Sequence, residues 1–315
     1  MGSAYGIAMQ IGFGLPVSGA WAEPERIGHF AVRAEELGYH SLWTFQRLLV
    51  SADQDLDPVY HSVLDPLVAL GYAAALTSRI RLGVAVVNLP FLSPTYLAKQ
   101  AATLDLLSGG RLDLGLGGGW SPAEFTATGA STARRGARAE EYLAVLRTLW
   151  ADEVSQFDGE FYTVPPSRML PKPVQRPGPP VLLGGSAPAA LRRAGRAAAG
   201  WISRSGTDLA TIGADVAVVR AGATEAGRDP DAVRIVTRGV VRPDPRGTGA
   251  GRLLLSGTYD QIRADVDALA GEGVTELFYD LNWDPLVGAP DADPNAAADR
   301  AEEILTALAP GRDTA

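Results

Sequence analysis

The sequence predicts an α/β protein, a (β/α)8 barrel with insertions. Apolar, β-rich runs alternate with amphipathic helical stretches along the chain, a pattern that builds a parallel sheet. Eight such runs occur within 315 residues, an ordinary length for one barrel. No Gly-x-Gly-x-x-Gly fingerprint opens a helix after the first run, so an open doubly wound sheet loses its main support. One domain is therefore expected over residues 1–315.

The elements follow in order. Ile7, Met9, Ile11 and Phe13 recur at period two and mark a first strand over 7–15, closed by Pro16. A helix over 24–37 carries Ile27, Phe30, Ala31, Ala34 and Leu37 on one face, with Gly38 as its left-handed cap. The second strand is short, 41–45, and a long Asp-rich loop with Tyr60 and His61 follows it. Asp65-Pro66 reads as an N-cap with proline at the first helical position, opening a helix to about residue 78. The third strand covers 80–87. Ser93-Pro94 opens a helix with Leu97, Ala101, Leu104 and Leu107 facing inward, stopped by Gly109-Gly110. The fourth strand, 112–116, ends in Gly117, Gly118 and Gly119, and a strong helix covers 134–150.

The second half repeats the alternation with two Pro-rich excursions, about 151–179 and 242–257. Strands are expected at 181–183, 201–203, 233–241 and 275–281. The helices between them start after Gly184-Gly185-Ser186, near Asp208 and at Thr258, and Asp293-Pro294 starts a closing helix.

Composition narrows the function classes. The net charge is −8 and no long basic run exists, which argues against a nucleic-acid partner. There are no cysteines, so disulfides, thiolate metal sites and cysteine nucleophiles are excluded. The three histidines, His29, His40 and His61, are too far apart for a helical metal pair, and no metal site is expected. No 18-residue apolar run and no basic stretch leading into an apolar segment occurs; a cytoplasmic protein without a membrane span is expected.

Barrel enzymes place their chemistry at the carboxyl ends of the strands. Four clusters fall there. Gly184-Gly185-Ser186 joins a strand to a helix that begins at a hydroxyl residue, and its free amides suit an anion such as a cofactor phosphate; a plain tight turn capped by Ser186 is the alternative. The run Gly115–Trp120 lets backbone approach a flat ligand, with Trp120 placed to stack on a ring or simply to pack under the loop. Ala85 is a small residue inside the β-branched run 83–88. Gln46 and Arg47 follow the second strand; Arg47 suits an anion, although a surface arginine is the simpler reading. Glu124, His61 and the stripe Arg134, Arg135 and Arg138 are weaker candidates that read as a capping, a loop and a solvated position.

At these residues the chain resembles the luciferase-like monooxygenase superfamily, especially its coenzyme F420-dependent branch. The resemblance runs through RIRLGVAVVNLPFLSPTYLAKQAATLDLLSGGRLDLGLGGGW (79–120), RRGARAEEYLAVLRTLW (134–150), FDGEFY (157–162) and PPVLLGGSAPAALRRAGRAAAGWI (179–202). It implies a barrel with insertions and a non-covalently bound F420, or FMN, whose ring lies against the third strand. It implies a non-proline cis peptide at Ala85-Val86, cofactor contacts at Ala85, Val86 and Gly118, and a phosphate or tail contact at Gly184, Gly185 and Ser186. A homodimer is a further implication.

The chain also departs from the family pattern. Many relatives carry an Asp-His pair where Gln46-Arg47 stand, and sugar-phosphate dehydrogenases place a catalytic Glu at the position of Trp120. Glucose-phosphate oxidation by that acid/base route is not expected. Neither Gln nor Arg titrates near neutrality, so Gln46, Arg47 and Trp120 stand as catalytic-site candidates without a general base among them. The cofactor performs the hydride step and the protein orients it.

The functional expectation is F420-dependent hydride transfer to or from a small organic substrate. The Ala/Arg/Gly-rich composition, common in high-GC actinobacterial proteins, favours F420. The first alternative is an FMNH2-dependent monooxygenase using O2 with a partner reductase. The alternative of another class is a non-catalytic flavin-binding or assembly subunit. Phe45, Tyr60, Phe91, Trp120 and Phe125 suggest an apolar or aromatic substrate pocket.

Overall fold

A computed structural model of the chain describes residues 9–247, 249 and 251–311. Eight parallel strands close into a barrel: β1 Gln10–Gly14, β2 Ser41–Thr44, β3 Arg81–Asn88, β4 Leu112–Gly117, β5 Val181–Gly184, β6 Gly200–Ile202, β7 Arg234–Gly239 and β8 Glu276–Tyr279. Each pairs with its neighbours in sequence order, and β8 closes onto β1 through Gln10 opposite Glu276. Ile7 lies outside the described residues. Between the strands run α1 Pro24–Glu36, α2 Pro66–Leu76, α3 Pro94–Leu107, α4 Pro122–Thr128, α5 Arg135–Ala151, α6 Pro188–Ala197, α7 Ile212–Glu225 and α8 Tyr259–Gly271, and α9 Pro294–Ala307 closes the ring.

Local chemistry sets the helix starts. Six of these nine helices place proline in the first turn after an extended residue, where the missing N–H costs nothing. Asp65 and Asp293 accept the free amides of α2 and α9, and Thr258 with Gln261 forms a capping box on α8. α6 differs from expectation. Ala187, not Ser186, is its cap residue and bonds through no side chain, because Pro188 fixes the first helical position one residue later. On α3, Leu107 is 70% exposed rather than inward, and Asp105 takes the buried position near the helix end.

The expected excursions have local order. Residues 155–158 and 163–167 form an antiparallel hairpin, and 242–243 pair with 256–257.

Residues two apart on a strand share a face. Inside the barrel this gives β7 the series Arg234, Val236, Arg238 and β8 the series Glu276, Phe278, Asp280. The apolar middle of both series belongs to a plug of Trp43, Ala85, Leu182, Ile202, Val236 and Phe278. Trp43 and Phe278 stack at 5.1 Å, and Gly83 makes room, since a Cβ there would lie 2.4 Å from the Trp43 ring. Below the plug, at the amino ends of the strands, Asp113 accepts from Arg81 and Arg234, and Glu276 accepts from Arg234, Ser41 and Trp43. Above it, the charged ends of the same strands open onto the barrel mouth.

Candidate active site at the carboxyl mouth of the barrel

The mouth is built on the third strand. Register between β3 and β4 shifts between Val84 and Val87, and the Ala85-Val86 peptide inside that bulge is cis. The bulge turns Val86 toward the neighbouring strands. A Cβ on Gly117 would meet its Cγ2 at 2.5 Å, and one on Gly184 its Cγ1 at 3.4 Å. Val86 therefore fills the space beside Gly117 and reaches that beside Gly184, so the three residues share one surface across β3, β4 and β5. Gly118 is exposed with nothing within 4 Å of a built Cβ, so backbone lies bare there.

This surface ends in the β5–α6 turn. Gly184 is half-buried, and Gly185 (φ +131°) and Ser186 are exposed. The Gly185 carbonyl accepts the indole N–H of Trp201 at 2.8 Å, which ties the turn to β6. Pro188 then begins α6, where the Ala187 carbonyl accepts the Ala190 and Leu191 amides and no side chain caps the first turn.

On the opposite side stands Arg47. It is buried, not a surface residue: its side chain is 4% exposed and its Nη1 donates to Glu124 Oε2 at 2.7 Å. Glu124 also accepts from the Leu48 amide at 2.7 Å, so the carboxylate pins the segment after β2 rather than capping its own helix. The guanidinium carbon lies 4.4 Å from the Trp120 ring centre and 4.6 Å from that of Tyr60. Gln46 does structural work, accepting the Asn88 amide at 2.8 Å and tying β2 to the end of β3.

A second arginine forms the floor. Arg238 is buried, donates to Asp280 Oδ2 at 2.7 Å and to the Ala85 carbonyl at 2.6 Å, and lies 4.1 Å from the Trp283 ring. It thus holds the bulge carbonyl from below. Burial pushes the Asp280 carboxyl above the usual carboxylate range, and Arg238 with Asn282 pulls it only part of the way back. Burial also lowers the Arg238 guanidinium, against the opposing pull of Asp280. The Nε atoms of both Arg47 and Arg238 are buried without a hydrogen-bond partner.

Sequence reasoning located the glycine runs, Arg47 and Trp120, and the structure brings all of these to one mouth with Ala85 and Val86. It missed Arg238, Asp280, Asn282 and Trp283. The signal was present: an ionisable residue two positions beyond an inward apolar one on each of the last two strands. His61 is exposed, its ring reaching only the Leu56 carbonyl at 3.2 Å, and Arg134 and Arg135 stay at the solvent edge. No group of three His, Cys, Asp or Glu able to hold a metal occurs among the described residues.

Comparison with known proteins adds a family. The profile of the luciferase-like monooxygenases matches residues 5–246. Uncharacterized protein Rv0953c of Mycobacterium tuberculosis is 45% identical over 47% of this chain and 52% of its own length. The FMNH(2)-dependent dimethylsulfone monooxygenase of Pseudomonas putida is 35% identical over 49% of this chain and 42% of its own. The F420-dependent glucose-6-phosphate dehydrogenase of Kineococcus radiotolerans is 34% identical over 59% and 54%. The chain thus spans about half the length of these relatives. Among solved structures, monooxygenase RslO1 from Streptomyces bottropensis superposes with TM-score 0.78 at 25% identity, over 97% of this chain and 100% of that one.

Proposed function

Since the chain belongs to the luciferase-like monooxygenase family, whose members are oxidoreductases and monooxygenases, we propose that it is an F420-dependent oxidoreductase acting on a small organic substrate. The observation that carries this reading is one continuous surface: Val86 of the bulge lies against both Gly117 and Gly184, so a flat ring over β3 and an anionic tail at the β5–α6 turn would lie along it. When bound, the cofactor supplies the hydride. The chain's own part is to seat it: Ala85, Val86 and Gly118 under the ring, Gly184, Gly185 and Ser186 at the tail, with amides at a helix start favouring the negative charge. Gln46 and Arg238 fix the strand ends that carry those contacts.

Arginines at the adjacent rim favour F420, with its long anionic tail, over FMN. Arg135 reaches the Gly119 carbonyl at 3.0 Å, Arg134 precedes α5 as its cap residue and pairs with Glu160, and Arg138 lies on the first turn of α5. FMN with a partner reductase is the second reading, favoured by the resemblance to the dimethylsulfone enzyme.

Titration of the purified protein with reduced F420 and reduced FMN separates the two, and micromolar affinity for FMN with none for F420 reverses the order. The site itself is tested by Gly184→Val, whose side chain would stand on the surface beside Val86 without the strain that the positive φ imposes at Gly185. Cofactor affinity is expected to fall about tenfold or more in a folded protein; unchanged affinity removes the site from the turn.

A homodimer through α2 and α3 belongs to the same reading. The eleven residues of α2 include no charged side chain, yet Val68 is 72% and Tyr72 44% exposed, beside Leu106 and Leu107 of α3 at 47% and 70%. Light scattering that returned the monomer mass at working concentration would remove it. No helix among the described residues is long and apolar enough to cross a membrane.

A further inference from the structure

The half-exposed tryptophan at the mouth has a cation behind it. Trp120 is 50% exposed, and the guanidinium carbon of Arg47 sits 4.4 Å from its ring centre. Arg47 is held there by Glu124 on one edge, and its Nε has aromatic surface in place of a hydrogen-bond partner. The rings continue across the mouth: Tyr60 lies 5.8 Å from Trp120, and Trp283 lies 6.0 Å from Tyr60.

Two physical consequences follow. A cation against one face of an indole draws on the ring's negative quadrupole, so the opposite face becomes a better partner for an electron-rich ring than for another cation. The charges on the two arginines are each matched, Arg47 by Glu124 and Arg238 by Asp280, so these pairs leave no net charge to recruit an anion.

Together these features point to the substrate class: a neutral, electron-rich aromatic molecule that stacks on the free face of Trp120, with Arg47 as the specificity-determining residue behind the ring. The inference depends on the proposed reading only in placing this surface beside the cofactor ring. Trp120 follows β4, Arg47 follows β2, and the bulge of β3 lies between them, so a molecule stacked there would border the site assigned to the ring.

Calorimetric titration of the full chain, without cofactor, tests it using 2-naphthol, the anionic 2-naphthoate and the saturated trans-2-decalol. The expected result is tighter binding of 2-naphthol than of either comparison compound, by about tenfold. Trp120→Ala should abolish that preference and Trp120→Phe should retain part of it. The double variant Arg47→Met/Glu124→Gln removes the cation without stranding its partner, and should weaken 2-naphthol roughly threefold. Melting curves confirm that each variant is folded. Equal binding of 2-naphthol and the decalol, tighter binding of the naphthoate, or full affinity in Trp120→Ala overturns the inference. The reduced-cofactor titrations are separate: their failure would remove the cofactor reading and leave this result standing, and the reverse also holds.

Discussion

The same two strands carry an arginine–carboxylate pair at each end of the barrel, and the pairs are built differently. At the amino end Arg234 meets Glu276 at 2.7 Å; at the carboxyl end Arg238 meets Asp280 at 2.7 Å. The lower pair sits in a saturated network. Asp113 receives four hydrogen bonds from two guanidinia, and burial, which alone would raise its carboxyl, is outweighed by Arg81 and then Arg234, leaving it below the usual range. The upper pair has one cation for one carboxylate, a guanidinium edge without a partner, and aromatic rings where the lower pair has further ions. Its carboxyl moves the other way, upward. The difference separates an end that locks the barrel shut from an end left short of partners, where a ligand can complete the set.

Breaking the lower end should cost most. Asp113→Asn takes the carboxylate from Arg81, leaves Arg234 with Glu276 alone and sets amide hydrogens against their donors, so a loss of about 3–5 kcal/mol is expected in urea unfolding. Asp280→Asn disturbs three hydrogen bonds and one cation that still reaches the Ala85 carbonyl, and about 1–3 kcal/mol is expected. If Asp280→Asn proved the more costly, the contrast between the ends would be wrong.

Acid sharpens the contrast through its sign. Asp113 has a lowered folded pKa, so its contribution is present above the unfolded value and is lost as pH falls through the folded one, below about pH 4. Asp280 has a raised folded pKa, so its carboxylate is a liability at neutral pH that is relieved as pH falls through that value. The penalty of Asp113→Asn should therefore shrink in acid while that of Asp280→Asn grows. Denaturation series from pH 7 to 3 read both; penalties that move together would contradict the opposite shifts.

These pairs show why the sequence revealed the barrel more fully than its site. Period-two apolar spacing and proline-led helix starts place all eight strands, because each is a local pattern. Strand ends were less readable: Val241 and Leu281 are fully buried beside the ladder, so the apolar pattern runs on after pairing stops at Gly239 and Tyr279. That overrun placed Asp280 inside a strand and Arg238 well short of a strand end, where an ionisable residue looks like an exception rather than a rim. Arg47 looked like surface because its partner lies 77 residues further along the chain. Pairings of that kind depend on closure of the barrel, which no local pattern encodes. The glycines were readable since their freedom is intrinsic, although only the bulge at Val86 shows why Gly117 must lack a side chain.

The smallest change in stability belongs to the residue at the outer edge of the upper end. Trp120 is already half in water, so Trp120→Ala forfeits only part of the ring's burial, and the Arg47–Glu124 bond does not depend on it. Unfolding free energy should fall by about 1–2 kcal/mol. A loss of the size expected for Asp113→Asn would mean that the ring holds Arg47 in place, and the mouth would then be a packed cap rather than a surface kept open for a ligand. A loss within the smaller range, with Asp113→Asn severely destabilised, leaves the locked chemistry at the amino end and the open chemistry at the mouth.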